Sequence, residues 1–209
     1  MSNVESQAWI EIAKAVPSIV TAVTAVVGVT IAARGLNRWR SETIGKRKAE
    51  LAEDVLADFY QARDIINTAR SPGSFEHEGS TRQKGDWENE DDTRKLNAYF
   101  ATVERLNNKS EFFAQLHARR YRFIAHFGQE AVEPYDRLHK IYVEIVVAVR
   151  MLISTHRNRT EGSIPKGRRK WEETIWEGAA EEDPIPGQLN DIIASIETIC
   201  RPAITDKVA

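Results

Sequence analysis

The sequence predicts an all-α protein, with a single N-terminal transmembrane helix followed by an antiparallel cytoplasmic helical bundle. Three observations predict this fold class. Residues 15–33 contain no charged side chain. Beyond them, apolar residues recur at steps of three and four, the period of an amphipathic helix. No segment shows the alternation of apolar and polar residues that marks a half-buried strand.

The uncharged run from Ala15 to Ala33 predicts the transmembrane helix. Its 19 residues would span roughly 28 Å as a helix, close to the ~30 Å hydrocarbon core of a bilayer. Trp9 and Trp39 flank it, where interfacial aromatic residues are expected. Two alternatives are a buried helix of a soluble core and a cleaved secretory signal. The signal is disfavoured because Glu5 and Glu11 precede the run.

The flanking cations predict the orientation of this helix. Only Lys14 precedes the run closely. Six cations follow it: Arg34, Arg38, Arg40, Lys46, Arg47 and Lys48. By the positive-inside rule the N-terminus faces out and the C-terminal domain is cytoplasmic, as in a bacterial inner membrane. These six cations would also attract anionic lipid, at ~1 kcal/mol each. A single cysteine, Cys200, agrees with a cytoplasmic location.

Small residues form a stripe along the uncharged run. Thr21, Thr24, Gly28 and Ala32 recur at steps of three and four. Such a stripe permits close approach of a second helix. A single-pass protein has no second membrane helix of its own, so the partner would be another copy of this chain or a different membrane protein. The alternative is chance, because Ala, Thr and Gly are common in such helices.

The sequence divides into residues 1–40, the tail and transmembrane helix with its basic flank, and residues 41–209, the bundle domain. The bundle is of one-domain size. Apolar periodicity predicts helices over 41–69, 92–127, 130 or 134 to 156, and 188–200, with a short amphipathic turn at 171–176. Gly128 is expected to cap the second of these, and Pro202 to stop the last. Residues 75–92 are polar and aperiodic, which predicts a mobile loop. Residues 145–149 are apolar on most sides, which predicts the most buried segment.

The residues that could carry chemistry do not form a known motif. Asp136 and His139 share a helix face, but a di-metal bundle needs two such pairs and further Glu ligands. His117 and His126 are nine residues apart and lie on nearly opposite sides of one helix. Cys200 is expected to be a buried thiol rather than a nucleophile. No nucleophile elbow or phosphate-binding glycine loop is present. The sequence therefore predicts no metal, no cofactor and no enzymatic activity.

Two basic clusters are candidate anion-binding groups. The first cluster consists of Arg119, Arg120 and Arg122, and the second of Arg168, Arg169 and Lys170. Clustered guanidinium groups bind phosphate groups of nucleotides, nucleic acids or lipids. The alternative, pairing with carboxylates of the chain, is favoured because an acidic stretch, residues 172–183, follows the second cluster and another acidic block spans Glu76 to Asp92. The chain has 29 basic and 31 acidic residues, so nucleic acid is not expected as a partner.

Three classes of function follow from these features. The favoured class is a single-pass, membrane-anchored interaction or scaffold protein that self-associates through its membrane helix, with the lipid bilayer as its first partner. The second is a sensor-effector whose bundle binds an anionic ligand or partner and thereby alters the assembly of the membrane helix. The third is a membrane-tethered enzyme with an unrecognised site. The first class requires no feature that the sequence lacks.

Overall fold

The computed structural model describes residues 2–73, 75, 77–157 and 167–205, with side chains described from residue 24 onward. In this part of the chain every regular element is helical, which confirms the all-α class. The α-helices are α1 Ser2–Ala69, α2 Glu90–Asn107, α3 Ser110–Phe127, α4 Glu133–Arg157, α5 Arg168–Ile175 and α6 Pro184–Thr205. A short 3-10 helix, Gln129–Val132, joins α3 to α4.

Helix boundaries agree with the sequence at several points and differ at others. Gly128 ends α3 with φ +90°, and its N–H donates to the carbonyl of Ile124 at 2.9 Å, as a glycine cap should. The predicted helix over 92–127 is instead two helices. Asn108 and Lys109 separate them, because the Lys109 N–H turns back to Leu106 at 3.0 Å in a tight i−3 bond. Pro202 lies inside α6 and does not stop it.

Contacts divide the chain into two compact units, Met1–Arg47 and Lys48–Ala209. In the first unit, large apolar side chains of α1 are exposed, among them Val26 and Ile31. Within the described residues, no helical stretch has both the length and the apolar character needed to span a bilayer. Of the predicted span, the side chains of residues 15–23 lie outside the described part. The sequence-based boundary at residue 40 stays a prediction.

The second unit has a core built around the C-terminal part of α1. Val55, Phe59 and Ile66 of α1 are fully buried at helical spacing. They belong to a cluster that also includes Ile145 of α4 and Ile196 of α6. Each such side chain contributes ~1.5–3 kcal/mol by leaving water. The apolar periodicity of the sequence therefore identified the main packing face correctly.

A smaller apolar cluster lies on another side of α4. Leu96 and Tyr99 of α2 pack there with Val149 and Leu152 of α4 and with Ile175 of α5. Residues 145–149 of α4 were predicted to be the most buried segment, and this is correct for only part of them. Ile145, Ala148 and Val149 are buried as predicted, whereas Val147 is 47 % exposed because it points away from both clusters.

The segment 77–89, predicted as mobile, is held by charged side chains. Arg82 donates from Nη1 and Nη2 to the two carboxylate oxygens of Glu88 at 2.7 and 2.5 Å. The same carboxylate accepts from the Gly85 N–H at 2.8 Å. Arg82 and Glu88 side chains are 7 % and 1 % exposed. A polar composition suggested disorder, but the polar groups here bond to one another.

A buried arginine closes the end of α1. Arg70 is fully buried and donates to the Thr174 carbonyl at 2.9 Å, the Glu173 carbonyl at 3.1 Å and the Asp183 carboxylate at 2.9 Å. These carbonyls belong to the last turn of α5, where helix carbonyls lack intrahelical partners. Arg70 therefore ties α1 to α5 and to the start of α6.

Candidate ligand-binding cleft

A cleft of about 370 Å³ lies between α3 and the N-terminal half of α4. Its wall is mostly apolar. Phe113 and Tyr142 form an aromatic pair with ring centroids 5.0 Å apart, and Leu116 and Leu138 close the base. Ala114 is exposed at the cleft, and its small side chain leaves the space open. Concave, largely apolar sites with a few polar groups are typical of small-molecule binding.

Four polar side chains stand at the edge of this cleft. Arg120 contributes Nη2, which bonds to Asp136 Oδ1 at 2.7 Å. The side chain of Arg120 is 24 % exposed and that of Asp136 is 58 % exposed. His117 and His139 also line the cleft, and both are exposed. Arg120, His117 and His139 therefore line the same cleft as one carboxylate, that of Asp136.

The histidines and Asp136 do not form a metal site here. Among the described residues, no group of three or more His, Cys, Asp or Glu side chains is arranged to hold a metal ion. The sequence placed Asp136 and His139 on one face of a helix, and the structure adds His117 from α3 beside them. The cluster is better suited to hydrogen bonds and charge than to coordination.

Polar side chains of α1, α3 and α4 form a partly buried layer at the cleft. Arg119 forms an ion pair with Asp58 of α1, and burial raises the pKa of Asp58. Burial also raises the pKa of the Tyr135 hydroxyl. The Tyr135 hydroxyl and Arg120 Nε are buried without a hydrogen-bond partner among the described residues. A buried polar atom left unbonded costs about 1–3 kcal/mol, so this layer is a costly feature that sequence alone did not indicate.

The two predicted basic clusters are mostly paired within the chain. Arg119 and Arg120 have the partners given above. Arg168 bonds to Glu172 at 3.0 Å and Arg169 to Glu173 at 2.8 Å, both one turn along α5. Arg122 and Lys170 are exposed. The cleft includes Arg120 from the first cluster and no residue of the second.

The predicted membrane-helix residues lie in the first unit. Thr24, Gly28 and Ala32 are exposed, while the Thr21 side chain lies outside the described part. A Cβ added at Gly28 would meet no atom of the part of the chain that the structure describes within 4 Å, so that helix surface is open there. The Thr30 hydroxyl donates to the Val26 carbonyl at 2.7 Å, which satisfies its polar group within the helix.

The cations predicted to lie beside the membrane are divided between the two units. Arg34, Arg38, Arg40, Lys46 and Arg47 are exposed in the first unit. Arg38 bonds to Glu42 at 3.0 Å, one turn later. Lys48 belongs to the second unit, where its Nζ lies 4.6 Å from the ring centroid of Phe127. The bundle therefore uses Lys48 in a cation–π contact.

A second, more polar groove was missed because it uses the segment predicted to be mobile. It has a volume of about 880 Å³ and lies between residues 82–88 and the end of α4. Arg150 and Arg157 line one side, and Trp87, which is 42 % exposed, lines the other. No periodic pattern marks such a groove, because its walls come from a loop and a distant helix.

Comparisons with protein-family models, with curated proteins and with solved structures found no match to this chain.

Proposed function

We propose that this chain is a single-pass, membrane-anchored helical interaction protein that self-associates through its membrane helix. Its bundle lies on the cytoplasmic side, with the N-terminus outside. The observation that carries the proposal is the exposure of apolar side chains on α1. Val26 is 66 %, Val29 70 % and Ile31 64 % exposed. Val26 and Val29 share one side of the helix and Ile31 lies on the opposite side, so apolar side chains are exposed on opposite sides of α1.

A helix that is apolar on every side is either buried in a core or spans a membrane. No described part of the chain covers these three side chains. Each of these side chains would gain about 1.5–3 kcal/mol of free energy by leaving water for an apolar environment. A bilayer supplies the missing apolar environment, and the cations from Arg34 onward mark its cytoplasmic surface.

Self-association is supported by the open surface at Gly28. No atom of the described residues occupies the space that a side chain at Gly28 would fill, so another helix can approach there closely. Replacing Gly28 with leucine should block this approach and reduce the oligomer mass of the full chain in detergent. If light scattering shows the same oligomer mass for Gly28→Leu and wild type, self-association through this surface is refuted.

The anchoring is tested by extraction of the full chain from membranes with alkaline carbonate. Wild type should remain in the membrane pellet. The double variant Val26→Asp/Val27→Asp should be released, because both residues lie within three positions of the centre of the predicted span, where each charge costs about 2.5–3.5 kcal/mol. Ile44→Asp is the matched control, since Ile44 is an exposed apolar residue of the same helix outside the predicted span. Release of wild type would refute anchoring.

A second candidate function, ligand sensing by the bundle, is favoured by the α3–α4 cleft. Its apolar wall suits an aromatic or aliphatic body. Arg120, His117 and His139 suit an acidic head group that would compete with Asp136 for the guanidinium. The ligand class is therefore a small amphipathic acid.

The sensing function is tested with 4-phenylbutyrate and its neutral analogue 4-phenylbutanol as probes of the full chain. We expect saturable binding of the acid, detected by calorimetry, and roughly tenfold weaker binding of the alcohol. Ala114→Trp fills the cleft and should abolish binding. Ala118→Trp, one turn later on an exposed position of α3, should not. Equal binding of the acid and the alcohol would refute the prediction that the ligand has an acidic head group. Binding of neither would refute the prediction that the cleft is a ligand site.

A further inference from the structure

The polar groove between residues 82–88 and the end of α4 lies in the second unit and has a volume of about 880 Å³. Pockets that bind small molecules have volumes of about 300–1,000 Å³. On α4, Arg150, Ser154 and Arg157 are spaced four and three residues apart, so they lie on one helix face. Among the described residues, the groove shares no lining residue with the α3–α4 cleft. It is therefore a separate candidate site.

The loop that forms the other wall of the groove is fixed by Arg82. Both terminal nitrogens of Arg82 donate to Glu88, and Nη2 also donates to the side-chain oxygen of Asn97 on α2 at 3.2 Å. The Arg82 side chain is only 7 % exposed, so these bonds hold the loop and leave little of Arg82 for a ligand. A site that is formed before the ligand arrives loses less conformational freedom on binding than a flexible one.

Three other cations line the groove without a carboxylate partner. Lys84, Arg150 and Arg157 are exposed, and none of them forms an ion pair with a carboxylate among the described residues. Of the two carboxylates that line the groove, Glu88 is bonded within the loop and Asp86 is exposed. The groove therefore has a surplus of two positive charges. A phosphate monoester carries nearly two negative charges at neutral pH, and guanidinium groups bind phosphate oxygens well.

An indole ring stands in the same groove. Trp87 is 42 % exposed, and its ring centroid lies 6.3 Å from that of the buried His156. A Cβ added at Gly85 would collide with Trp87 Nε1, so the loop backbone packs closely against the indole. The ring is therefore held in place with part of its surface open. Aromatic side chains of this kind are platforms on which nucleobases stack.

We propose that this groove binds a mononucleotide. The phosphate contacts the three unpaired cations, and the base stacks on Trp87. Asp86, the residue before Trp87, accepts a hydrogen bond from a ribose hydroxyl or a base amino group. The surplus charge of the groove matches one phosphate group. The whole chain has a slight excess of acidic residues, which disfavours a nucleic-acid polymer as the ligand.

Calorimetry on the full chain tests the proposal with adenosine monophosphate (AMP), inorganic phosphate and adenosine as probes. We expect saturable binding of AMP. Phosphate and adenosine should each bind roughly tenfold more weakly or less, because each retains only one of the two groups that the groove contacts. Absence of AMP binding would overturn the proposal. Phosphate that binds as tightly as AMP would overturn the stacking of a base on Trp87.

Variants separate the two halves of the site. Arg157→Gln removes an exposed cation and should weaken AMP binding roughly tenfold without changing adenosine binding. Trp87→Leu should weaken AMP binding by a similar factor and leave phosphate binding unchanged. Trp87→Phe should restore most of the AMP affinity, because it returns an aromatic face. If Trp87→Phe and Trp87→Leu bind AMP equally weakly, stacking is refuted.

Two controls locate the nucleotide within the bundle. Arg122→Gln removes an exposed cation of α3 outside the groove and should leave AMP binding unchanged. Ala114→Trp fills the α3–α4 cleft and should also leave it unchanged. If Ala114→Trp abolishes AMP binding while Arg157→Gln does not weaken it, the nucleotide occupies the α3–α4 cleft and the proposal for the groove is overturned. An equal loss in Arg122→Gln and Arg157→Gln would show only a general effect of charge, which also overturns it.

Discussion

Replacing Glu88 with glutamine should destabilise the segment 77–89 in a pH-dependent manner. The Glu88 carboxylate receives both terminal nitrogens of Arg82 and the Gly85 N–H. Glutamine retains the size of the side chain but not its charge. Arg82 would then remain as a cation whose side chain is only 7 % exposed. An ion pair that loses one partner in this way leaves the other charge uncompensated.

The magnitude follows from the pKa of the carboxyl group. The hydrogen bonds from Arg82 hold the pKa of Glu88 at about 2, compared with an ordinary value of 4.5. That difference corresponds to about 3 kcal/mol at neutral pH. Water screens charges in a surface segment, so we expect ~1–2 kcal/mol. Because the pKa is lower in the folded state, this stabilisation is complete above about pH 5 and is lost as the pH falls toward 2.

The assay is urea unfolding of the full chain at pH 6.5 and pH 3, followed by helical circular dichroism. Glu88→Gln should lower the free energy of unfolding by ~1–2 kcal/mol at pH 6.5, and more than half of this difference should vanish at pH 3. Glu90→Gln is the control, since Glu90 is exposed two residues away. A difference that does not change with pH, or an equal effect of Glu90→Gln, would refute the reasoning.

Two further predictions concern stability. Arg70→Met should lower the free energy of unfolding by about 3–5 kcal/mol, because it leaves Asp183 and the α5 carbonyls without their buried donor; a loss below about 1 kcal/mol in urea unfolding would contradict this. Gly79→Ala should lower the melting temperature far more than Gly178→Ala. Both glycines have positive φ, but only at Gly79 would the new Cβ collide with the Asn97 backbone. Gly178→Ala should cost only ~1 kcal/mol, and equal melting temperatures would contradict the collision.

Periodicity was sufficient to predict the helices but not their breaks. The repeat of Val55, Phe59 and Ile66 predicted the core-facing side of α1, because the buried residues of one helix recur at regular intervals in the sequence. The break near Asn108 could not be predicted in this way, because the apolar residues on both sides of it keep the spacing of one continuous helix. The exposure of Val147 could not be foreseen, since burial depends on which neighbouring helices cover each side of α4.

The candidate site was harder to predict than the helices, because its residues come together only through tertiary contacts. From the sequence, Asp136 and His139 were predicted to share a face of one helix, and Arg120 was assigned to a basic cluster on another. Only the packing of α3 against α4 brings them to one cleft with His117. The ion pairs of Arg82 with Glu88 and of Arg70 with Asp183 join residues whose partners no spacing rule selects. A polar segment therefore looked mobile when its charges were bonded to one another.

The most direct test of membrane anchoring is the environment of Val29 in the full chain reconstituted into liposomes. Val29→Cys carries a spin label into the predicted span, and the buried Cys200 is protected from labelling. We predict that this label collides with dissolved oxygen and is shielded from a water-soluble nickel complex. A label at Ala118→Cys, exposed on α3, should show the reverse. Equal access of nickel to both labels would contradict a helix in the bilayer.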